Sequence, residues 1–373
     1  MKAGTPEAAQ QPHIVIDARM VRISGIGTYI EELVPRIIAL WSDARFTILG
    51  DQDVLARAIA PSSRVSYRTF NAPIYSIREQ LAYLRLVPRD AMVWVPHYNI
   101  PLLRRGTLAV TVHDVFHLAA PDISPLRRRY AQLFFGAVVR RARLVICDSA
   151  FTAGELQRLA GNPRRMAVVH LGVSPRWSAL SATRPPLEGP YLLAVGNVKP
   201  HKNLKGLVAA FERVTHDIPH RLVIVGRREG LLTLDTEVEQ MAERLGDRVV
   251  FTGYVTREVL ENYVACCAAL IQPSLYEGFG LPPLEAMATG RPVAVSRAAS
   301  LPEVCGPEAD YFDPTDVDSI ADALKRCAHA VDGIEDRQRR RAWAARFDWD
   351  IAAQETQALL AEAFGATGSP MRT

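Results

Sequence analysis

Short apolar runs alternate with helical patterns from one end of this chain to the other, and this rhythm limits its possible folds more than any other feature. In the first half, strands are expected at 13–17, 46–49, 65–67, 92–95, 108–112, 144–147 and 167–170. Several are rich in β-branched residues and apolar at successive positions, as strands buried on both faces of a parallel sheet read. Helical patterns, such as 28–40 and 152–159, fall between them. Strand and helix taking turns in this way imply βαβ units around a parallel sheet.

The stretch 174–190 interrupts the rhythm with Pro175, Pro185, Pro186 and Pro190 among Ser, Thr and Gly, and reads as a linker. The alternation then restarts. Strands are expected at 191–196, 222–226, 249–252, 269–272 and 292–296, and helices at 203–214, 256–266, 283–289 and 316–329. A length of 373 residues suits two domains, each with its own core. The expected fold class is therefore α/β, with two Rossmann-like doubly wound domains. Residues 1–175 form the first, 176–190 the linker and 191–345 the second, and a terminal helical segment, 346–373, returns toward the first. Ligands of such sheets bind at the carboxyl ends of the strands, so a cleft facing both sets of strand ends is the expected site.

Composition excludes more than it assigns. Apolar residues make up 49% and charged residues 23%, an ordinary globular balance. The net charge of +4 suits an anionic substrate or an anionic membrane surface and does not argue for nucleic acid. The five cysteines are odd in number and form no CxxC pair, which suggests reduced, buried thiols in a cytoplasmic protein. The polar opening MKAGTPEAAQQPH lacks the apolar core of a signal peptide, and no run of about eighteen apolar residues is present to span a bilayer.

The richest chemistry lies in Tyr276-Glu277-Gly278-Phe279-Gly280-Leu281-Pro282-Pro283-Leu284-Glu285. It follows a buried strand and opens a helix. Gly278 and Gly280 let backbone N–H groups approach a ligand, and Pro282 or Pro283 suits the first helical position. The helix N-terminus offers partial positive charge to an anion such as a diphosphate. Glu277 and Glu285 bracket the loop, and each carboxylate can hold a polyol through two hydroxyls. A second loop, Gly196-Asn197-Val198-Lys199-Pro200-His201-Lys202, places Lys202 where it could neutralise a departing diphosphate.

The Glu-x7-Glu segment resembles the signature of retaining GT-B glycosyltransferases of family 4, and the resemblance covers nearly the whole chain. It implies that Glu277 contacts the donor sugar, that Glu285 binds the ribose, and that the amides of Phe279, Gly280 and Leu281 face sugar and phosphates. Pro282 has no amide to add. Lys202 matches the family lysine. Asn197 stands where many members carry a phosphate-binding arginine, and His201 replaces a second one; Lys199, Arg227 or Arg228 could supply the missing cation.

Two loops of the first half complete the expected site. In Ser24-Gly25-Ile26-Gly27-Thr28, Gly25 and Gly27 precede a capping box from Thr28 to Glu31 and expose a helix start to the donor phosphates. His113, at the end of a strand, could bond the donor sugar or help polarise the acceptor, with Asp114 orienting it. A further capping box is expected from Thr152 to Glu155. The basic, amphipathic segment 125–143 could lie on an anionic bilayer or be a surface helix packed on the sheet.

The resemblance implies a retaining transfer of a hexose from a nucleotide-diphosphate sugar to a saccharide or polyprenyl-linked saccharide, without a metal; no Asp-x-Asp motif sits at a strand end. The strings HDVFHLAAP and GNVKPHKN are similar to bacterial mannosyl- or rhamnosyltransferases of surface-polysaccharide (lipopolysaccharide) synthesis, which implies GDP-mannose as donor and no other cofactor. The expected location is cytoplasmic, at the inner face of the membrane. The alternatives are a non-catalytic sugar-nucleotide-binding scaffold, motivated by Asn197, and a nucleotide-sugar 2-epimerase.

Overall fold

The computed structural model describes residues 11–121, 123–180, 185–226 and 233–365. Two units emerge. One comprises residues 1–148, 152–170 and 349–373, the other 149–151 and 171–348.

The first unit is built on seven strands: β1 (His13–Asp17), β2 (Arg45–Gly50), β3 (Val65–Thr69), β4 (Met92–Val95), β5 (Leu108–Val112), β6 (Leu144–Cys147) and β7 (Met166–Val168). Their order is β3-β2-β1-β4-β5-β6-β7, and every pairing is parallel. The central strands are apolar and buried on both faces, with Ile14, Ile16, Ile48 and Trp94 fully buried, whereas the edge strand β3 is polar and half-exposed. The order reverses between β1 and β4, which creates a switch point at their carboxyl ends.

The last helix, Trp349–Phe364, belongs to this unit and packs along Ser24–Leu40. Trp349 meets Tyr29 edge-on at 6.4 Å, Trp41 stacks with Phe364 at 6.5 Å, and Arg36 Nε donates to Asp350 Oδ1 at 2.7 Å.

The second unit carries six strands: β8 (Tyr191–Val195), β9 (Arg221–Val225), β10 (Val249–Gly253), β11 (Ala269–Gln272), β12 (Val293–Ser296) and β13 (Asp310–Phe312). They run in the order β10-β9-β8-β11-β12-β13, again all parallel. Helices Leu204–Val214 and Val317–His329 pack together on one face, burying Leu207, Phe211, Ile320 and Leu324 against Leu192, Ile224 and Ile271. The switch point here lies between β8 and β11. Residues 176–190, expected as a linker, fall in this unit, where the short helix Pro175–Ala179 buries Trp177.

Among the described residues no helix is long and apolar enough to cross a membrane. All five cysteines are free thiols, four of them buried. The helix Pro125–Arg141 turns its apolar stripe inward: Phe134, Phe135 and Val138 are buried. Two of its arginines serve the fold. Arg128 donates to the carbonyls of Ala120 and Pro121, and Arg141 to those of Pro101 and Leu102.

Candidate active site

In the second unit, the loops after β8 and β11 meet at the switch point. Strand adjacency brings them together: Ala269 pairs with Leu192 and Leu270 with Leu193, so both strands end side by side. Leu275 N–H donates to the His201 carbonyl at 2.8 Å and ties one loop to the other. Lys202 Nζ reaches Glu277 Oε1 at 2.6 Å, and the same oxygen accepts from Gln272 Nε2 at 2.6 Å and Ser274 Oγ at 2.7 Å. Burial would push the Glu277 carboxyl up, but the Lys202 charge and these hydrogen bonds hold it below the ordinary glutamate range. The pair is an ion pair at working pH, with side chains 21% and 12% exposed. Lys202 and Gln272 line a small pocket with Gly196, Leu204 and Pro273.

The backbone beyond Glu277 is held by serines. Ser300 Oγ shares its one proton between the carbonyls of Phe279 (2.7 Å) and Glu277 (3.0 Å), and Ser149 Oγ donates to that of Gly278 (2.7 Å). Three successive peptide planes are thereby oriented. Gly280 caps the helix Leu281–Ala288 at φ +118°, where a Cβ would lie 2.7 Å from Leu301 Cδ2, so only glycine fits. Prolines at 282 and 283 have no N–H, and Leu284 N–H goes to Gly280 O at 3.4 Å. Leu281 is thus the one first-turn residue whose N–H has no partner within the helix. Glu285 is half-buried one turn further along. Asn197 lies half-buried in the loop after β8, and Arg227 and Arg228 fall outside the described residues.

Gly25, Gly27 and His113 belong to the first unit. The helix there starts at Ser24 behind Ile23, so Thr28 is already inside it and the expected capping box with Glu31 does not form. Gly27 is needed for close approach, since a Cβ would sit 2.5 Å from the Val21 carbonyl oxygen. The Thr152–Glu155 box is corrected likewise. That helix begins at Ala150; Thr152 Oγ1 donates to His113 O at 3.2 Å, and Glu155 accepts from Arg158.

His113 follows β5 with both ring nitrogens engaged: Nδ1 with Asp148 Oδ2 at 2.6 Å and Nε2 with Pro96 O at 2.9 Å. A carboxylate and a carbonyl both accept, so these two partners favour the doubly protonated ring. Burial opposes that charge, but Asp148 outweighs it and the pKa is raised. The expected orienting role of Asp114 is overturned: its Oδ1 accepts Phe116 N–H at 3.0 Å, while Asp148 on the neighbouring β6 side holds the ring. For His113 to bond a sugar or an acceptor, one nitrogen must first be released.

Sequence reasoning missed a buried cluster at the first unit's switch point. Arg19 Nη2 bonds Asp17 Oδ2 and Glu79 Oε1, both at 2.6 Å, and its guanidinium lies 3.8 Å over the Phe70 ring. Asn99 Nδ2 adds a 2.6 Å bond to Glu79. Burial alone would raise the Asp17 carboxyl, yet the Arg19 charge and hydrogen bonds hold it far below the usual range. The readable signal was Asp17-Ala18-Arg19, opposite charges closing an apolar strand. Gln272 and Ser274 were also missed; a polar residue ending the run ALIQ was their clue.

Comparison with known proteins places both halves of the chain in one family. Residues 23–177 match the model for Glycosyltransferase Family 4, and residues 189–330 that for Glycosyl transferases group 1. The chain is 31% identical over 291 residues to O-antigen chain mannosyltransferase B of Escherichia coli, spanning 72% of this chain and 73% of that protein. It is 29% identical over 290 residues to the O-antigen chain mannosyltransferase RfbU of Salmonella typhimurium, spanning 78% of each. Among solved structures, Anabaena Alr3699/HepE in complex with UDP and glucose superposes with TM-score 0.73 at 18% identity, over 94% of this chain and 100% of that one. Sucrose-phosphate synthase from Thermosynechococcus elongatus gives 0.72 at 21%, over 96% and 100%. At such identities these structures speak for the fold, two doubly wound α/β units of the GT-B class. With both halves matched in order and a relative this similar over most of its length, the chain belongs to glycosyltransferase family 4.

Proposed function

We propose that this glycosyltransferase moves mannose from GDP-mannose, with retention of configuration, to a saccharide acceptor in bacterial surface-polysaccharide assembly. The observation that carries the reading is the Lys202–Glu277 pair at the β8/β11 switch point, directly before the helix at Leu281. Mannosyl transfer is taken from the names of the E. coli and Salmonella relatives.

In this reading the donor diphosphate lies against Lys202 and the backbone of Gly278, Phe279, Gly280 and Leu281. Glu277 takes sugar hydroxyls and Glu285 the ribose. As the C1–O bond lengthens, positive charge grows on the sugar and negative charge on the leaving phosphate. Lys202 stabilises the latter, and a phosphate oxygen accepts the acceptor's proton, so attack comes from the leaving-group face. Neutralisation by Lys202 takes the place of a divalent metal. Asn197 is a polar neighbour of the phosphates, and Lys199, Arg227 or Arg228 supplies the second cation. His113 serves the first unit's ligand once released from Pro96 or Asp148. Peripheral contact with an anionic bilayer is assigned to exposed Leu126 and Leu133 beside Arg127 and Arg129.

The test is calorimetric titration with GDP-mannose, GDP-rhamnose and UDP-glucose, followed by transfer in the presence of EDTA and NMR of the product anomer. Tighter binding of UDP-glucose than GDP-mannose, an inverted product, or loss of transfer in EDTA each overturns its part. Glu285→Ala should weaken donor binding by more than about 1 kcal/mol, the worth of a charge-assisted hydrogen bond; unchanged affinity contradicts the ribose role.

A further inference from the structure

Tyr75 stands out in the first unit. It lies in the loop between β3 and the helix Ile77–Leu86 and holds a left-handed backbone, φ +68°, unusual for a residue with a bulky side chain. The residue is 50% exposed. An aromatic residue kept in a strained conformation, facing solvent, needs something to hold it there. That hold is the buried cluster: Tyr75 N–H donates to Glu79 Oε2 at 3.0 Å, while Glu79 Oε1 is committed to Arg19 and Asn99.

Around Tyr75 the fold gathers a shelf of rings from the loops after β3 and β4 and from the helix Pro125–Arg141. Tyr98, after β4, lies nearly parallel to Tyr75 (centroids 6.3 Å, 25°) and is itself stacked on Phe135 at 4.4 Å. Tyr130 meets Tyr75 edge-on at 5.2 Å and stacks on Phe134 at 4.3 Å. The polar ends are chained. The Tyr75 and Tyr98 hydroxyls are 3.2 Å apart, Tyr98 Oη is 3.4 Å from His117 Nδ1, and Tyr130 donates to Asn99 Oδ1. Burial raises the pKa of all three phenols, so they remain neutral hydroxyls.

We infer that this shelf is a saccharide-binding subsite in which the exposed Tyr75 ring carries the C–H face of a neutral pyranose in an oligosaccharide. A pyranose ring has an apolar C–H face and a rim of hydroxyls. A neutral aromatic face bordered by phenols and an imidazole matches both parts. The buried Arg19–Glu79–Asn99 cluster keeps the platform pre-set, so the ordering cost is met on folding rather than on binding. The proposal rests on the transferase reading only in naming this sugar as part of the acceptor.

The test is binding of a panel of neutral oligosaccharides, with α-mannotriose, rhamnose-containing and glucose-containing trisaccharides as probes, measured by calorimetry without any donor. Wild type is compared with Tyr75→Ala, Tyr75→Phe and Tyr75→Trp, each checked for an unchanged melting temperature. At least one trisaccharide should bind wild type, lose tenfold or more with the Ala variant, and stay within threefold with Phe and Trp. In transfer assays the Ala variant should raise the acceptor KM tenfold and leave the GDP-mannose KM within twofold. No trisaccharide binding, or binding that is the same in the Ala variant, overturns the inference. Tyr75-dependent sugar binding without transfer from any GDP sugar would sink the donor assignment and leave the subsite standing; normal transfer with Tyr75-independent sugar binding would do the reverse.

Discussion

Replacing Lys202 with methionine keeps most of the side-chain volume and removes the charge that faces Glu277. The ion pair is 2.6 Å long, with its members 21% and 12% exposed. Fully exposed pairs contribute at most about 1 kcal/mol, and breaking a fully buried pair costs about 3–5 kcal/mol. This pair lies between, and Gln272 and Ser274 continue to donate to the carboxylate in the variant. A loss of about 2 kcal/mol is expected, or about 4–8 °C in the melting temperature of a unit of this size. The effect has a pH signature. Glu277's carboxyl is depressed in the folded protein, so its contribution is present above the ordinary glutamate pKa, about 4.3, and fades as pH falls through the lower folded value. The gap between wild type and Lys202→Met should therefore be full at pH 7 and narrow as the pH falls below the ordinary glutamate range. On the catalytic side, losing the charge that stabilises the leaving diphosphate should lower kcat by about a hundredfold or more. Calorimetry at several pH values and steady-state transfer rates measure both. A pH-independent gap would mean lost packing rather than a lost ion pair, and an unchanged kcat would refute the leaving-group role.

Other perturbations probe other parts of the fold. Asp148→Asn removes the charge that raises His113, so the imidazole pKa should fall in an NMR titration. Because the raised value stabilises the fold below about pH 6.5 and this gain is lost as pH climbs through the folded value, the variant should be hurt most in acid; an unmoved histidine titration would contradict the assignment. Gly280→Ala places a Cβ 2.7 Å from Leu301 at φ +118°, which should cost about 1–3 kcal/mol and weaken donor binding, read by thermal melting and titration. Arg19→Met leaves two carboxylates buried without their cation; about 3–5 kcal/mol of stability should be lost at pH 7, measured by urea unfolding.

Local chemistry is what a linear reading captures well. The spans of β1, β4, β5, β6 and β11 can be read directly, because strands buried on both faces leave an uninterrupted apolar record. Gly280 and the following prolines announce a helix start for reasons contained in their own backbones. Helix starts resting on side-chain capping were less secure. Thr28 and Thr152 satisfy the pattern, but Gly27 packed against Val21 and the helix opening at Ala150 move the true starts upstream. What no local pattern contains is partnership across the chain. Lys202 and Glu277 are 75 positions apart and meet because β8 and β11 are neighbours. His113 takes Asp148, 35 positions away, over the adjacent Asp114, because β5 and β6 run in register through Val112 and Cys147. The Asp17–Arg19–Glu79 cluster exists only once β1 and the helix Ile77–Leu86 exclude water from the same spot. Backbone preference travels with each residue, whereas the energy of a charge depends on which groups surround it, and strand order and helix packing set that company.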